Sequence, residues 1–572
     1  MWQKPLIAAL IFLINPFGLS AQDLASLKKE KWVRFHGNIN SGTNLYGISG
    51  IDARKVPFSA FANGTATLTL KGFSLPFSFQ VVTPLTDKDN TVIRQPFNQF
   101  GVSPTWKKVK LHLGWRNMSF SRYTLDGHIF LGAGVEANPG RFRIGAMYGR
   151  FAKAVDEDSS RQAFNRTAQY PFAAYTRWGY GLKLGYGKGN RTFDLIYFKG
   201  TDDVSSAKSA YSYQMVAPGE NAVVGMKTKI AFLKKFTFEA DAAVSAYTRD
   251  TRSDSVAVDE NYVKYASAIL SPRLSTQAYY AGDALIAYRH KTISASLKFQ
   301  RIMPDYRSFG TYYMQTDVQR ITLNPSWYHP KGFLQLSGSF GTEKDNLASK
   351  KRTETTRNIG SLNMVTRLSK SLGASLQYSN YGSSQRAMQR SVSDTQLLNQ
   401  VTNNISASPY YLIMGKNSTH TLMYLFSNQT LNDRNKINSQ DFSMNVVNHT
   451  FTWAFANNPK ATRMDFSVFT INTAIPNDSA EIKASNLGGS LGFGKTFNKK
   501  LNTHMVLSYS TNAVGGQSDG NTIQARWNNS LTAGKRSTLM ANFTLTRNNS
   551  KSQLVARSFT EYMATLMYGY NF

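Results

Sequence analysis

The 572-residue sequence predicts an all-β fold: a single large antiparallel transmembrane β-barrel with long extracellular loops and short periplasmic turns. Three observations carry that reading. Apolar and polar residues alternate with a period of two in segment after segment, from about residue 31 to the end. Tight turns and long polar stretches join those segments in alternation. Beyond the opening residues, no apolar run approaches the roughly 18 residues that a spanning helix needs, and mean hydropathy is -0.35.

The opening "MWQKPLIAALIFLINPFGLSAQ" has one basic residue, Lys4, an apolar run from Leu6 to Ile14, the helix breaker Pro16, and small Ser20 and Ala21. It reads as a secretory signal peptide over residues 1–21, because the run is too short to cross about 30 Å of hydrocarbon. Residues 22–30 are then a short periplasmic segment and residues 31–572 the barrel.

Hairpins follow. Leu131, Ala133, Val135 and Ala137 lead into "ANPG", and Phe142, Ile144, Ala146 and Tyr148 return. Tyr180, Leu182, Leu184 and Tyr186 lead into "GKGN", answered by Phe193, Leu195 and Tyr197. Reversals of this kind are expected near Gly72, Pro104, Pro139, Gly189, Lys234, Lys291, Lys331, Lys370, Lys416, Asn458, Lys499 and Lys535. With both termini periplasmic, about twelve such turns imply about 26 strands, within a range of 22 to 28. Between hairpins lie polar stretches such as "AVDEDSSRQAFNRTAQ", "TRDTRSDSVAVDENYVK" and "NYGSSQRAMQRSVSDTQ", the expected extracellular loops. A barrel this wide cannot be filled by its own inward side chains, so it holds a lumen or an inward-folded plug.

The final strand reads "EYMATLMYGYNF". Tyr562, Ala564, Leu566, Tyr568, Tyr570 and Phe572 fall on one face, and Glu561, Thr565, Gly569 and Asn571 on the other. Such a strand is expected to close the barrel against the first one. Tyr568, Tyr570 and Phe572 form its aromatic girdle, and the ending resembles the insertion signal of bacterial outer-membrane proteins, which implies the barrel-assembly machinery as a partner.

Composition narrows the function. The chain has no cysteine, which removes disulfides, thiolate metal sites, cysteine nucleophiles and a lipoprotein anchor. The formal charge is +32, from 66 basic and 34 acidic residues. For an exported protein this points away from nucleic acid and toward outer-membrane lipid, lipopolysaccharide phosphates and anionic solutes.

"GSLGFGKT", Gly489 to Thr496, fits the P-loop pattern. A P-loop must follow a strand and open a helix. Here Leu487, Leu491, Phe493 and Phe497 instead alternate with Gly488, Ser490, Gly492, Gly494 and Thr496, so the segment reads as a lipid-facing strand. "GAGVEA" at Gly132 likewise lacks a helix behind it. The eight histidines show no pairwise metal-ligand spacing. Acidic residues at Asp87, Asp89, Asp156 to Asp158, Asp202, Asp203, Asp254, Asp259 and Glu260 fall in expected loops without EF-hand spacing. No cofactor, metal or catalytic residue is therefore expected, and no enzyme activity.

One stretch is more than generic: Gln95 to Phe151, with the polar core "RNMSFSRYTLDGH". It is dense in Phe, Gly, Pro, Ser and Arg, and Arg116, Arg122 and Tyr123 are expected to form a constriction if this loop folds into the lumen. Together with "KGTDDVSS" from Lys199 and "MPDYRSFGTYYMQTD" from Met303, it resembles a family of outer-membrane barrel proteins of Bacteroidetes type. That resemblance implies location and fold and carries no activity.

The expectation is a cell outer-membrane channel or transporter for an anionic solute. The alternative is an anchor or binding protein for a secreted or surface protein, and a membrane-embedded hydrolase stands behind both. A TonB-dependent receptor fits less well, since strands begin near Trp32 and leave no room for a plug domain ahead of them.

Overall fold

The structure, a computed structural model, describes residues 33–70, 73–83, 99–155, 174–206, 216–256, 271–388, 397–434, 443–476, 481–551 and 557–572. The expected signal peptide and the segment after it lie outside these residues. Twenty-six antiparallel strands form one closed barrel. Each wall strand pairs with its predecessor, and Phe559–Asn571 pairs with Val33–Ser49 to close the ring, with Asn38 opposite Asn571 and Ser49 opposite Thr560. One wall position is split into Gln99–Val102 and Thr105–Trp106, because Pro104 has no N–H to give the ladder. The two-residue strand Gly310–Thr311 lies inside the wall and pairs in parallel with Leu125–Gly127.

The expected short turns occupy one end of the barrel, and both described termini lie there. The reversal expected at Pro104 falls instead at Lys107 and Lys108, where Lys107 takes a φ of 52°. The turn at Gly72 lies outside the described residues, though the flanking strands pair as far as Leu70 and Phe73. Two further expectations are corrected. Asn380 to Ala387 belongs to the strand Leu372–Ala387 rather than to a loop, and Asp202 and Asp203 end the strand Arg191–Asp203. At these heights both strand faces are polar, so the alternation that marks a strand disappears. Of the other expected loop acids, Asp87, Asp89, Asp156 to Asp158, Asp259 and Glu260 lie outside the described residues.

Outward side chains form an apolar belt that starts at the short-turn end. On Ile482–Phe497 it comprises Leu487, Leu491, Phe493 and Phe497, each more than two-fifths exposed to the surroundings. The P-loop pattern is thus a continuous strand, paired residue by residue on both sides. Above the belt, outward positions become polar, as at Asn358, Asn380 and Asn403. Twenty-six strands spaced about 4.8 Å apart and tilted about 40° close on a backbone diameter of about 50 Å, for a circular section. That is several times the thickness of a single chain layer.

Candidate functional site: the lumen and its inward segments

Two segments turn into this lumen. The first is the tip of the hairpin made by Val109–Ser119 and Leu125–Ala137. Its pairing with the flanking wall strands ends at Gly114 on one side, opposite Gly101, and at Leu131 on the other, opposite Arg150, and Gly114 and Gly127 take φ of 85° and 67°, backbone states that glycine adopts without a Cβ penalty. Phe120 reaches the ammonium of Lys183 at 5.0 Å. The Ser121 hydroxyl donates to Asp241 Oδ1 at 2.5 Å, and the Arg122 N–H donates to Oδ2 of the same carboxylate at 3.1 Å. Asp241 is almost fully buried, and these two bonds satisfy it.

The second segment joins Ile293–Ile302 to Val318–Tyr328 and runs over the first. The Tyr306 hydroxyl donates to the Tyr123 carbonyl at 2.6 Å, and the Ser308 hydroxyl donates to the Thr124 carbonyl. The Tyr123 hydroxyl accepts from Gln300 Nε2 at 2.9 Å. Ser245 and Asn221 donate from the wall to the Arg307 carbonyl at 2.6 and 3.2 Å, and Asn221 Oδ1 accepts from the Phe309 N–H. Tyr123 is completely buried, which pushes its hydroxyl up to about 12. Burial raises Tyr306 as well. Both phenols therefore remain neutral hydrogen-bonding groups at physiological pH.

Around these bonds lie two apolar clusters. One gathers Met118, Phe120, Leu125, Phe130, Phe151, Phe198 and Phe309. The other gathers Tyr123, Val223, Ala281, Ile302, Tyr306 and Val318. Wall glycines make room for them. A Cβ at Gly134 would sit 2.4 Å from Met118 Sδ, one at Gly145 would sit 2.7 Å from Phe120, and one at Gly225 would sit 2.5 Å from Thr124 Cγ2. The unusual Phe and Gly content of Gln95 to Phe151 thus has a packing cause: inward aromatic rings facing wall positions without side chains.

The three residues singled out in the sequence do not sit together. Arg122 and Tyr123 are on the inward tip. Arg116 is on the strand Val109–Ser119, paired with Phe130 of the same hairpin, and its Nη1 donates to Ser78 Oγ of the neighbouring wall at 2.6 Å. Sequence reasoning singled out the Met303 to Asp317 segment only as a family echo and missed that it folds inward over the tip. A Tyr-, Gly- and Ser-rich stretch between two wall strands was the available signal.

Lumen charges follow an asymmetric pattern. Most carboxylates are partnered by a cation, Asp194 with Arg143, Asp202 with Arg177, Glu239 with Lys229, Asp283 with Lys298, and Glu343 with Arg320 and Arg357, while Asp241 and Glu561 are held by hydrogen bonds. Glu136 and Asp465 contact His112 and His504. Among the described residues, Arg116, Arg122, Lys183, Lys227 and Arg526 make no ion pair. Below the tip, a cavity of about 830 Å³ is lined by Arg122, Lys227 and Lys298 with Asp241 and Asp283, near the turns at Gly140 and Gly189.

The opposite wall is different. Its lumen face carries Ser361, Asn363, Gln377, Ser379, Asn404 and Ser406 in one cluster, and Asn486, Ser490, Ser508 and Asn512 in another. Their described side-chain hydrogen bonds run to nearby wall strands, as from Asn404 to Ser379, Ser467 to Ser490 and Asn486 to Asn512. At the seam, Phe572 exchanges two backbone hydrogen bonds with Gly37 and stacks on Phe35 at 4.6 Å. Tyr568 lies opposite Ser41 and Tyr570 opposite Ile39.

No protein-family model and no curated protein sequence matches the chain. Among solved structures, it is similar to the P pilus usher (PapC) translocation pore, at 11% identity over 94% of this chain and 99% of that one, with a TM-score of 0.36. It is also similar to BauA, the ferric preacinetobactin receptor of Acinetobacter baumannii, at 8% identity over 94% and 81% of the two chains and a TM-score of 0.35. OccAB4 of the same organism covers 69% of this chain with 98% of its own, at 12% identity and a TM-score of 0.30. No solute or partner of those proteins carries over to this chain at such distances.

Proposed function

We propose that the chain is an outer-membrane channel that passes small hydrophilic solutes and favours anions. The observation that supports this best is the division of the lumen. Two inward segments pack against one wall, while the other wall presents amides and hydroxyls that bond along the wall among the described residues. A chain layer is about 10 Å thick, so two layers on one side leave a polar passage in a cylinder about 50 Å wide. The anion preference rests on charge: Asp194, Asp202, Asp283 and Glu343 pair with Arg or Lys, while among the described residues Arg116, Arg122, Lys183, Lys227 and Arg526 make no ion pair. Fixed positive charge in a water-filled pore concentrates counter-ions.

The belt of outward apolar residues fits membrane lipid, with lipopolysaccharide at the long-loop end. The test is reconstitution in planar bilayers under a salt gradient. Reversal potentials are expected to show anion preference that shrinks as salt rises from 0.1 M, where screening acts over about 10 Å, to 1 M, where it acts over about 3 Å. Cation preference, or silence in both the intact protein and a variant without the hairpin tip, defeats the reading. A second reading, an anchor for a surface protein, draws on Tyr313, which is 95% exposed beside Tyr312 on the second inward segment. A stoichiometric protein partner retained after detergent extraction, from a barrel that does not conduct, would favour it.

A further inference from the structure

Arg116 stands apart from the other lumen cations because, among the described residues, its pocket is lined by no acid. Its pocket, of about 410 Å³, is lined from the seam strands by Asn38, Asn63, Ser78, Gln80 and Gln99. The guanidinium is held in place. Nη1 donates to Ser78 Oγ at 2.6 Å, and a Cβ on Gly101 would lie 2.8 Å from both Cζ and Nε, so the group lies flat over that glycine. Nε is buried without a hydrogen-bond partner. The amides around it are oriented by their own bonds: Asn38 Oδ1 accepts from the Thr65 N–H and hydroxyl, and Asn63 Oδ1 accepts from a neighbouring amide. With those oxygens occupied, what Asn38 and Asn63 still offer the pocket is N–H donors. A fixed guanidinium whose Nη2 has no partner among the described residues, ringed by amide donors on the lumen face, matches the needs of a carboxylate or phosphate group.

We propose that this pocket is an oxyanion subsite in the lumen wall, with Arg116 as its anchor, and that it takes the carboxylate or phosphate group of a passing solute. The proposal builds on the channel reading, but binding can be measured without conduction. Inorganic phosphate and acetate would be titrated by calorimetry into the full-length, detergent-solubilised barrel. The variants are Arg116→Gln, Arg116→Lys and Ser78→Ala, with Lys495→Gln, an outward-facing lysine near the short turns, as the charge-matched control.

Arg116→Gln is expected to weaken the tighter of the two anions at least tenfold. Arg116→Lys should weaken it less, since a point charge replaces a planar fork. Ser78→Ala, which leaves net charge unchanged, should weaken it several-fold, and Lys495→Gln should leave it within twofold of the parent. Each variant must retain heat-modifiable migration, the mark of a closed barrel. Equal phosphate and acetate affinities in the parent and Arg116→Gln would overturn the subsite. So would an equal loss in Lys495→Gln, which would mean that only net charge matters. Intact binding in a barrel that does not conduct would keep the subsite and reject the channel.

Discussion

The wall from Val109 to Tyr328 and the wall from Thr353 to Asn571 are built from the same hairpin unit, yet they solve different problems. The first has strands of 10 to 15 residues and carries the packed interior. The second has strands of 13 to 16 residues and, among the described residues, no buried apolar side chain beyond Val318. The difference shows that the described lumen faces of one wide barrel need not be alike. Where lumen positions are Gly and the connecting segments carry Phe and Tyr, a soluble-type core forms inside the cylinder. Where lumen positions are Asn, Ser and Thr, the described side chains bond along the wall and build no core.

Removing the interior of the first wall should make the two alike. Replacing Phe120 to Thr124 with a two-residue Asn-Gly turn deletes the residues that bond Asp241 and support the second segment. Single-channel conductance is expected to rise several-fold, with heat-modifiable migration retained. Unchanged conductance would show that the packed side does not restrict the passage. The next effect concerns the seam, which belongs to the second wall. Phe572→Asp should cut the assembled, heat-modifiable fraction by half or more, because it places a charge where Phe572 stacks on Phe35 and Tyr570. Normal assembly would leave the ring without a role in closing the barrel.

The two walls also differed in how far their sequences could be read. Alternation and turn residues marked nearly every strand, because lipid on one face and water on the other impose a strict period of two. It fades where both faces are polar, so the strand through Ala387 and the end at Asp203 read as loops in the sequence. In the interior, composition marks the segment around Arg122 and Tyr123 as unusual for a wall strand. The pairing of Gly310–Thr311 with Leu125–Gly127 was not legible, since it joins segments about 180 residues apart with no local pattern to mark it. Nor was the separation of Arg116 from Arg122, which depends on where the chain leaves the wall.

Side-chain truncations should sharpen the contrast at smaller scale. Tyr123→Ala removes a completely buried ring and is expected to cost about 3–5 kcal/mol in local opening free energy, the usual range for a buried aromatic. Tyr123→Phe loses only the bond from Gln300 and should cost about 1 kcal/mol. Ser508→Ala on the opposite wall should fall within about 0.5 kcal/mol. Hydrogen exchange of the Met303 to Asp317 amides measures the first two, and exchange within Leu501–Val514 measures the third. Equal effects at Tyr123 and Ser508 would erase the distinction between a core and a wet wall.

The smallest expected effect is a clasp where the two walls meet. Asp317 ends the second inward segment, and its carboxylate accepts from the Asn346 and Leu347 N–H groups at 3.0 and 2.8 Å and pairs with Lys351. Burial alone would raise its pKa, but the Lys351 bond and the two N–H donors outweigh burial and hold it below the ordinary carboxylate value. A depressed pKa means that the clasp contributes stability above the unfolded-state value, about 3.9, and loses it as pH falls through the lower folded value. Asn346 and Leu347 amides should therefore keep their protection, corrected for intrinsic exchange, from neutral pH to about 4 and lose it below. Asp317→Asn should lower protection of those amides at neutral pH and abolish its pH dependence, while the Tyr123 region stays protected. Protection that does not change from pH 7 to pH 3 would mean that the loop is held by its backbone alone. The inner core would then end before this clasp, and the second wall would begin at Asp317 rather than beyond it.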